Sequence, residues 1–290
     1  MPTPMAHLES DAAARAAERT FLGLEMDDGA TLGTLPVSER VRTPDGRLYG
    51  GAMLGLAMTA METATMRRVV WATTQFVASA PHGARIEVAV EESARGGRSS
   101  QVLVRASTTD GSMFTALGAT GEGRDDGFGA AYLGMPRVPE PGDCPPLLTP
   151  AVGEERGYKT VTDIRAAGEA GTGGSGDGRP PALLIWASTP GHRTSLPAMM
   201  ALVADHLPLT LARLAGVDGA GASLDNTLRV GPRAEHDWVL LECLPELGDG
   251  GYGHGTVHLW APDGRLLAIG SQSSGMRTFA NWKRAPTGSS

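Results

Sequence analysis

"GGAMLGLAMTAMETATMRRV", residues 50 to 69, is apolar or small on almost every side of a helical wheel. A surface helix keeps one polar face, so this one reads as a helix enclosed by other structure. The stripe Met53, Met58, Met61 and Met66 suits core packing. Before it, "SDAAARAAERTFLG" reads as a helix capped by Ser10 and closed near Gly23, and "FLGLEMDDGATLGTLPVSERV" as a hairpin turning at Asp28-Gly29. After it, "VVWATTQFVA", "ARIEVAVEESA", "SSQVLVRASTTDG" and "MFTALGATGEG" alternate in the manner of strands. Pro81-His82-Gly83, Gly96-Gly97 and Asp110-Gly111 punctuate them, as in an antiparallel meander.

Residues 134 to 158 are Pro-rich and unsuited to a central strand, so they read as a linker. Beyond it the order repeats. "YKTVTDIRAAGEAGTGGSGDGRPPALLIWAST" is a hairpin with a Gly-rich tip, and "PAMMALVADHLPLTLARLAG" is a helix from Pro197 to Gly216, followed by a second meander. Pro81 and Pro232 lie 151 positions apart, as do Thr74 and Asp225, and the Asp110-Gly111 and Asp263-Gly264 turns lie 153 apart. The expectation is an α+β chain of two tandem hotdog domains, each a five- or six-stranded antiparallel sheet wrapped round a long helix. The N-terminal domain would span residues 1–135, the linker 136–158 and the C-terminal domain 159–284. A ligand site is expected where the halves meet, with N–H groups from a helix N-terminus and side chains from strands.

Composition narrows the function. A chain of 290 residues with 41% hydrophobic content can bury a large core. A net charge of -7 argues against a broad nucleic-acid surface. The two cysteines, Cys144 and Cys243, form no metal-binding pair or disulfide framework, which points to a reducing, cytoplasmic setting. The first residues lack a basic start and an apolar run, and no window reaches the roughly 18 apolar residues of a membrane span. No phosphate-loop or GxSxG pattern occurs, and two GxGxxG matches among 40 glycines do not join a strand to a helix.

Several stretches resemble the acyl-CoA thioesterase II family, which is built as a double hotdog. "LYGGAMLGLAM" is similar to the family's Gly-Gly entry into its first helix, and "LVADHLPL" to its second helix. "SLDNTLRV" and "GSQSSGMR" are similar to the segments that carry a catalytic Asp and Gln, which places those roles on Asp225 and Gln272. The family also uses a Ser or Thr on the strand after the Asp-bearing one. "WVLLECLPELGDGGYGHG" has neither; Gly248 falls near that place, and Tyr252 carries the stretch's one hydroxyl.

The resemblance implies thioester hydrolysis by a water that a carboxylate deprotonates, without metal or cofactor. Asp225 would be the base, Gln272 would hold the water or the base, and Tyr252 would stand in for the missing hydroxyl. Gly50, Gly51 and Asp205 would contact substrate, the glycine pair letting the thioester carbonyl approach helix N–H groups. By residue type alone, Asp225 also suits a strand-edge carboxylate paired with Arg229, Gln272 an exposed amide, and Asp205-His206 a satisfied core pair. His254 and His258 lack neighbouring metal ligands. The implied partner is a small-molecule fatty acyl-CoA, with no nucleic acid or membrane and with room for assembly into a homodimer or higher homo-oligomer. The alternative is a non-catalytic acyl-binding hotdog protein, motivated by the absent Ser or Thr.

Overall fold

The structure is a computed structural model that describes residues 4–123, 127–147, 157–171, 180–216 and 219–278. The first half runs α1 (Pro4–Leu22), β1 (Leu32–Pro36), α2 (Gly50–Thr65), β2 (Arg68–Phe76), β3 (Arg85–Arg95), β4 (Ser99–Thr108) and β5 (Gly111–Gly121). The second runs β6 (Asp163–Ala170), β7 (Ala182–Ser188), α3 (Pro197–Ala204), α4 (Leu207–Leu214), β8 (Gly219–Val230), β9 (Trp238–Asp249), β10 (Tyr252–Trp260) and β11 (Leu266–Thr278).

All described strands join one sheet in the order β1-β3-β4-β5-β2-β8-β11-β10-β9-β7-β6. Read outward from the β2–β8 seam, the halves have the same order, with β6 added at the far edge. At the seam Thr73 stands opposite Thr227, and the Thr227 hydroxyl donates to Thr73 Oγ1 at 2.7 Å. This is a double hotdog.

The duplication extends to irregularities. Val69 and Trp71 pair with consecutive residues of β5, leaving Val70 as an extra residue; Ser223 and Asp225 pair with consecutive residues of β11, leaving Leu224 as the extra one. These matched bulges set Val70 against Leu224, so Thr74 corresponds to Leu228 and not to Asp225.

α2 is buried nearly throughout and ends where Met66 takes a left-handed conformation, φ 57°, with its N–H on the Glu62 carbonyl. The helix therefore stops before residue 69, and the remainder starts β2. α2 approaches α3 closely because its contact positions are glycines: a Cβ on Gly51 would lie 2.6 Å from the Leu202 carbonyl oxygen, and one on Gly55 2.9 Å from that of Ala198.

Other boundaries differ from the sequence reading. α1 already runs from Pro4, so Ser10 lies within the helix and not at its start. The Asp28-Gly29 turn closes only the single bridge Glu25–Thr34, and β1 pairs with β3 instead. The helix expected from Pro197 to Gly216 is two helices, interrupted at Asp205-His206. The tip of the β6–β7 hairpin, residues 172–179, lies outside the described residues. Within the Pro-rich run, Pro139 accepts the Trp186 indole N–H at 2.8 Å, and Met135, Val138 and Cys144 join Trp186, Leu240 and Trp260 in a second apolar cluster.

Candidate active site

The break between α3 and α4 has a local cause. Pro208 has no N–H for the Ala204 carbonyl, and its ring would collide with that carbonyl in a continuous helix. The His206 N–H takes the Ala204 carbonyl at 2.8 Å, and the His206 ring donates from Nδ1 to the Val203 carbonyl at 2.7 Å. Asp205, at φ -78° and ψ 55°, leaves the helical path and turns its carboxylate toward the start of α2. There the Gly51 N–H donates to Asp205 Oδ2 at 2.8 Å. A Cβ on Gly50 would stand 2.6 Å from the same oxygen, so only glycine admits the carboxylate.

The other oxygen, Oδ1, accepts from the Ser223 hydroxyl at 3.1 Å and from Gln272 Nε2. Gln272 Nε2 also donates to Ser223 Oγ at 2.6 Å. In an unbroken strand Ser223 and Asp225 would share a face. The bulge at Leu224 removes that relation and turns Ser223 to the inner face, opposite Ser274 and beside Gln272. A carboxylate from one half is thus held by a helix N-terminus of the other half and by two adjacent strands of its own.

Burial pushes the Asp205 carboxyl above its ordinary pKa, against the lowering effects of Gln272, the His206 charge, Ser223 and the Gly51 N–H. The Tyr49 hydroxyl donates to the Asp205 backbone carbonyl at 2.9 Å, and its ring stacks on Tyr158 with centroids 4.0 Å apart. Burial, then the Asp205 charge, raises both phenols, Tyr158 to about 12, so both remain protonated donors.

Of the residues singled out from sequence, Gln272, Asp205, Gly50 and Gly51 meet here. Asp225 does not: the register sets it on the opposite face, where its Oδ1 accepts the Ser273 N–H at 2.7 Å. It shares no hydrogen bond with Gln272. Tyr252 is 54% exposed beside the Gly250-Gly251 hairpin turn and supplies no hydroxyl to the cluster. Gly248 lies on that same hairpin, paired with Gly253. A hydroxyl that does reach Asp205 is that of Ser223, in "SLDNTLRV" itself. Gly51's N–H is committed to Asp205 and is not free for a substrate carbonyl. Tyr49 and Tyr158 were not anticipated, and Tyr158 lay in the stretch taken for a linker.

The corresponding place in the other half is closed. The Ala198 N–H at the start of α3 donates at 2.8 Å to Glu18 of α1, which is 1% exposed. Nearby, Glu62 accepts the Val69 N–H at 2.7 Å and Arg233 Nη2 at 2.8 Å. Burial, followed by the Glu62 charge, pushes Glu18 up to about 8. Among the described residues no group of three or more His, Cys, Asp or Glu side chains is arranged to hold a metal ion, and His258 Nδ1 instead meets Glu242 at 3.1 Å.

A model of the acyl-CoA thioesterase N-terminal domain matches residues 38–121, and one of the acyl-CoA thioesterase C-terminal domain matches residues 141–276. Among solved structures, a protein assigned as a thioesterase from Novosphingobium aromaticivorans is 28% identical with a TM-score of 0.75, covering 87% of this chain and 97% of its own. An acyl-CoA thioesterase II from Mycobacterium marinum, 19% identical over 90% of this chain and 98% of its own, superposes with a TM-score of 0.70. One assigned as a thioesterase II from Thermobifida fusca, at 16% identity over 90% and 97%, gives 0.74. At those two identities the likeness is one of fold. No curated protein matches the chain.

Proposed function

Because the chain belongs to the acyl-CoA thioesterase II family, we propose that it hydrolyses the thioester of fatty acyl-CoA, with Asp205 as the general base. The observation that carries this reading is the Asp205 carboxylate, half-buried at the seam and held by Gly51, Ser223 and Gln272. Burial raises its basicity, and three donors fix its direction, as a general base requires.

In the reaction, water donates to Asp205 and attacks the thioester carbon. A C–O bond forms while one proton passes to the carboxylate, and the carbonyl electrons move onto oxygen. Collapse of the tetrahedral intermediate breaks the C–S bond, and Asp205 returns the proton to the departing CoA thiolate. The products are a carboxylic acid and free CoA thiol; thioester and water balance without a further reactant. Gln272 uses Nε2 to hold Asp205, and Ser223 keeps the same carboxylate oxygen oriented. The Tyr49–Tyr158 stack walls the site with protonated phenols.

The non-catalytic reading rested on a missing hydroxyl. Ser223 supplies one within hydrogen-bond reach of Asp205, which removes its motive. The buried free thiols Cys144 and Cys243 suit a reducing compartment, and we place the protein in the cytoplasm. No described helix is long and apolar enough to cross a membrane. The test is incubation of the purified protein with acyl-CoAs of several chain lengths and a thiol reagent. Thiol release that Asp205→Asn abolishes supports the enzyme; tight acyl-CoA binding with no release in the wild type rejects it.

A further inference from the structure

Beside the Asp205 cluster, three residues in register on three adjacent strands carry polar atoms that no described residue satisfies. Asn226 on β8 stands opposite Gln272 on β11 and, on its other side, opposite Thr74 on β2. Directly opposed residues of antiparallel strands project to the same face. All three are buried, with Asn226 2% and Thr74 0% exposed. Asn226 Nδ2, Thr74 Oγ1 and Gln272 Oε1 have no hydrogen-bond partner among the described residues. Leaving buried amides and hydroxyls unpaired is costly, and where a native structure does so in a row the row calls for a ligand or water.

The chemistry of a thioesterase needs what this row offers. Negative charge develops on the thioester oxygen, and donors must already point to where it forms. The Gly51 N–H is committed to Asp205, and the Ala198 N–H at the start of the other central helix is committed to Glu18. We infer that Asn226 Nδ2, assisted by Thr74 Oγ1, holds the thioester carbonyl oxygen, while Gln272 Oε1 accepts from the attacking water. This rests on the thioesterase reading above. β2 belongs to the first half and β8 to the second, so the oxyanion site straddles the seam and each half contributes a donor. The carbonyl carbon then lies between the donors of Asn226 and Thr74 and the water held by Asp205 and Gln272.

The inference is tested with two CoA probes: the dethia ketone analogue of decanoyl-CoA, in which a methylene replaces the thioester sulfur, and decyl-CoA, a thioether with no carbonyl. Asn226→Ala is expected to lower kcat on decanoyl-CoA by about a hundredfold or more. It should weaken the ketone about tenfold and leave the thioether unchanged. Thr74→Val, which keeps the shape and removes the hydroxyl, should act in the same direction to a smaller degree. A carbon-13-labelled ketone should show its carbonyl stretch at lower frequency on wild type than on Asn226→Ala, a readout that a structural role alone would not move. Equal weakening of both probes, or unchanged kcat in Asn226→Ala, overturns the assignment. If the wild type hydrolyses acyl-CoA, Asp205→Asn does not, and Asn226→Ala matches the wild type, the thioesterase reading stands and this inference alone falls. If the wild type releases no thiol from any acyl-CoA, both fall.

Discussion

Gly51 and Asp205 belong to different halves of the duplicated chain, yet the Gly51 N–H donates to Asp205 Oδ2 at 2.8 Å. That bond ties the start of α2 to the break between α3 and α4, so the carboxylate is oriented by the assembly of the two halves. Its own half supplies Ser223 and Gln272 to one carboxylate oxygen, and the other half supplies Gly51 to the second.

Gly51→Ala is therefore expected to damage both stability and activity. The added Cβ meets backbone, the Leu202 carbonyl at 2.6 Å and the Ala201 carbonyl at 2.7 Å, which cannot swing aside. Overpacking of this kind costs about 1–3 kcal/mol. Urea unfolding should register the loss, and the residual folded enzyme should turn over more slowly because α3 and Asp205 are displaced together.

Ser223→Ala removes one of the hydrogen bonds that lower the Asp205 pKa. A base must be ionised to act, so the rate rises with pH through the pKa of Asp205. The ascending limb of the kcat/KM profile should move to higher pH in Ser223→Ala, and the plateau should fall because the carboxylate is less well held. A limb that stays in place would separate Ser223 from the ionising group.

Gln272 was singled out through the resemblance of "GSQSSGMR" to family segments, and the double hotdog was legible from an all-round apolar helix followed by a meander in a pattern that repeats. Asp225 falls outside the cluster because one extra residue, Leu224, moves Ser223 and Asp225 onto opposite faces, and a bulge leaves no mark in an alternating pattern. Asp205 sat in plain view, but the helix was read through Pro208, whose missing N–H is the reason the carboxylate escapes the helix. Tyr158 gave no signal, since its stacking on Tyr49 is a long-range contact that no local sequence pattern encodes. The hydroxyl beside Asp205 is that of Ser223, on the same strand as Asp225 and not on the strand after it.

Glu18 makes a separate prediction about stability. Its pKa in the fold is about 8 against 4.5 for the ordinary group, so the folded state holds the proton more firmly than the unfolded state. The resulting contribution is present in full below 4.5 and is lost as pH rises through about 8. Glu18→Gln keeps an acceptor for the Ala198 N–H and removes the titration. Urea unfolding from pH 5 to 9 should show the wild type losing stability relative to Glu18→Gln across that range; parallel curves would contradict the assignment.

The central claim is that Asp205, and not Asp225, is the base. It is tested most directly by measuring kcat for Asp205→Asn and Asp225→Asn side by side on the same acyl-CoA. The account predicts that Asp205→Asn loses about a hundredfold to ten-thousandfold, while Asp225→Asn stays near the wild type. Loss of turnover in Asp225→Asn with Asp205→Asn still active would contradict it.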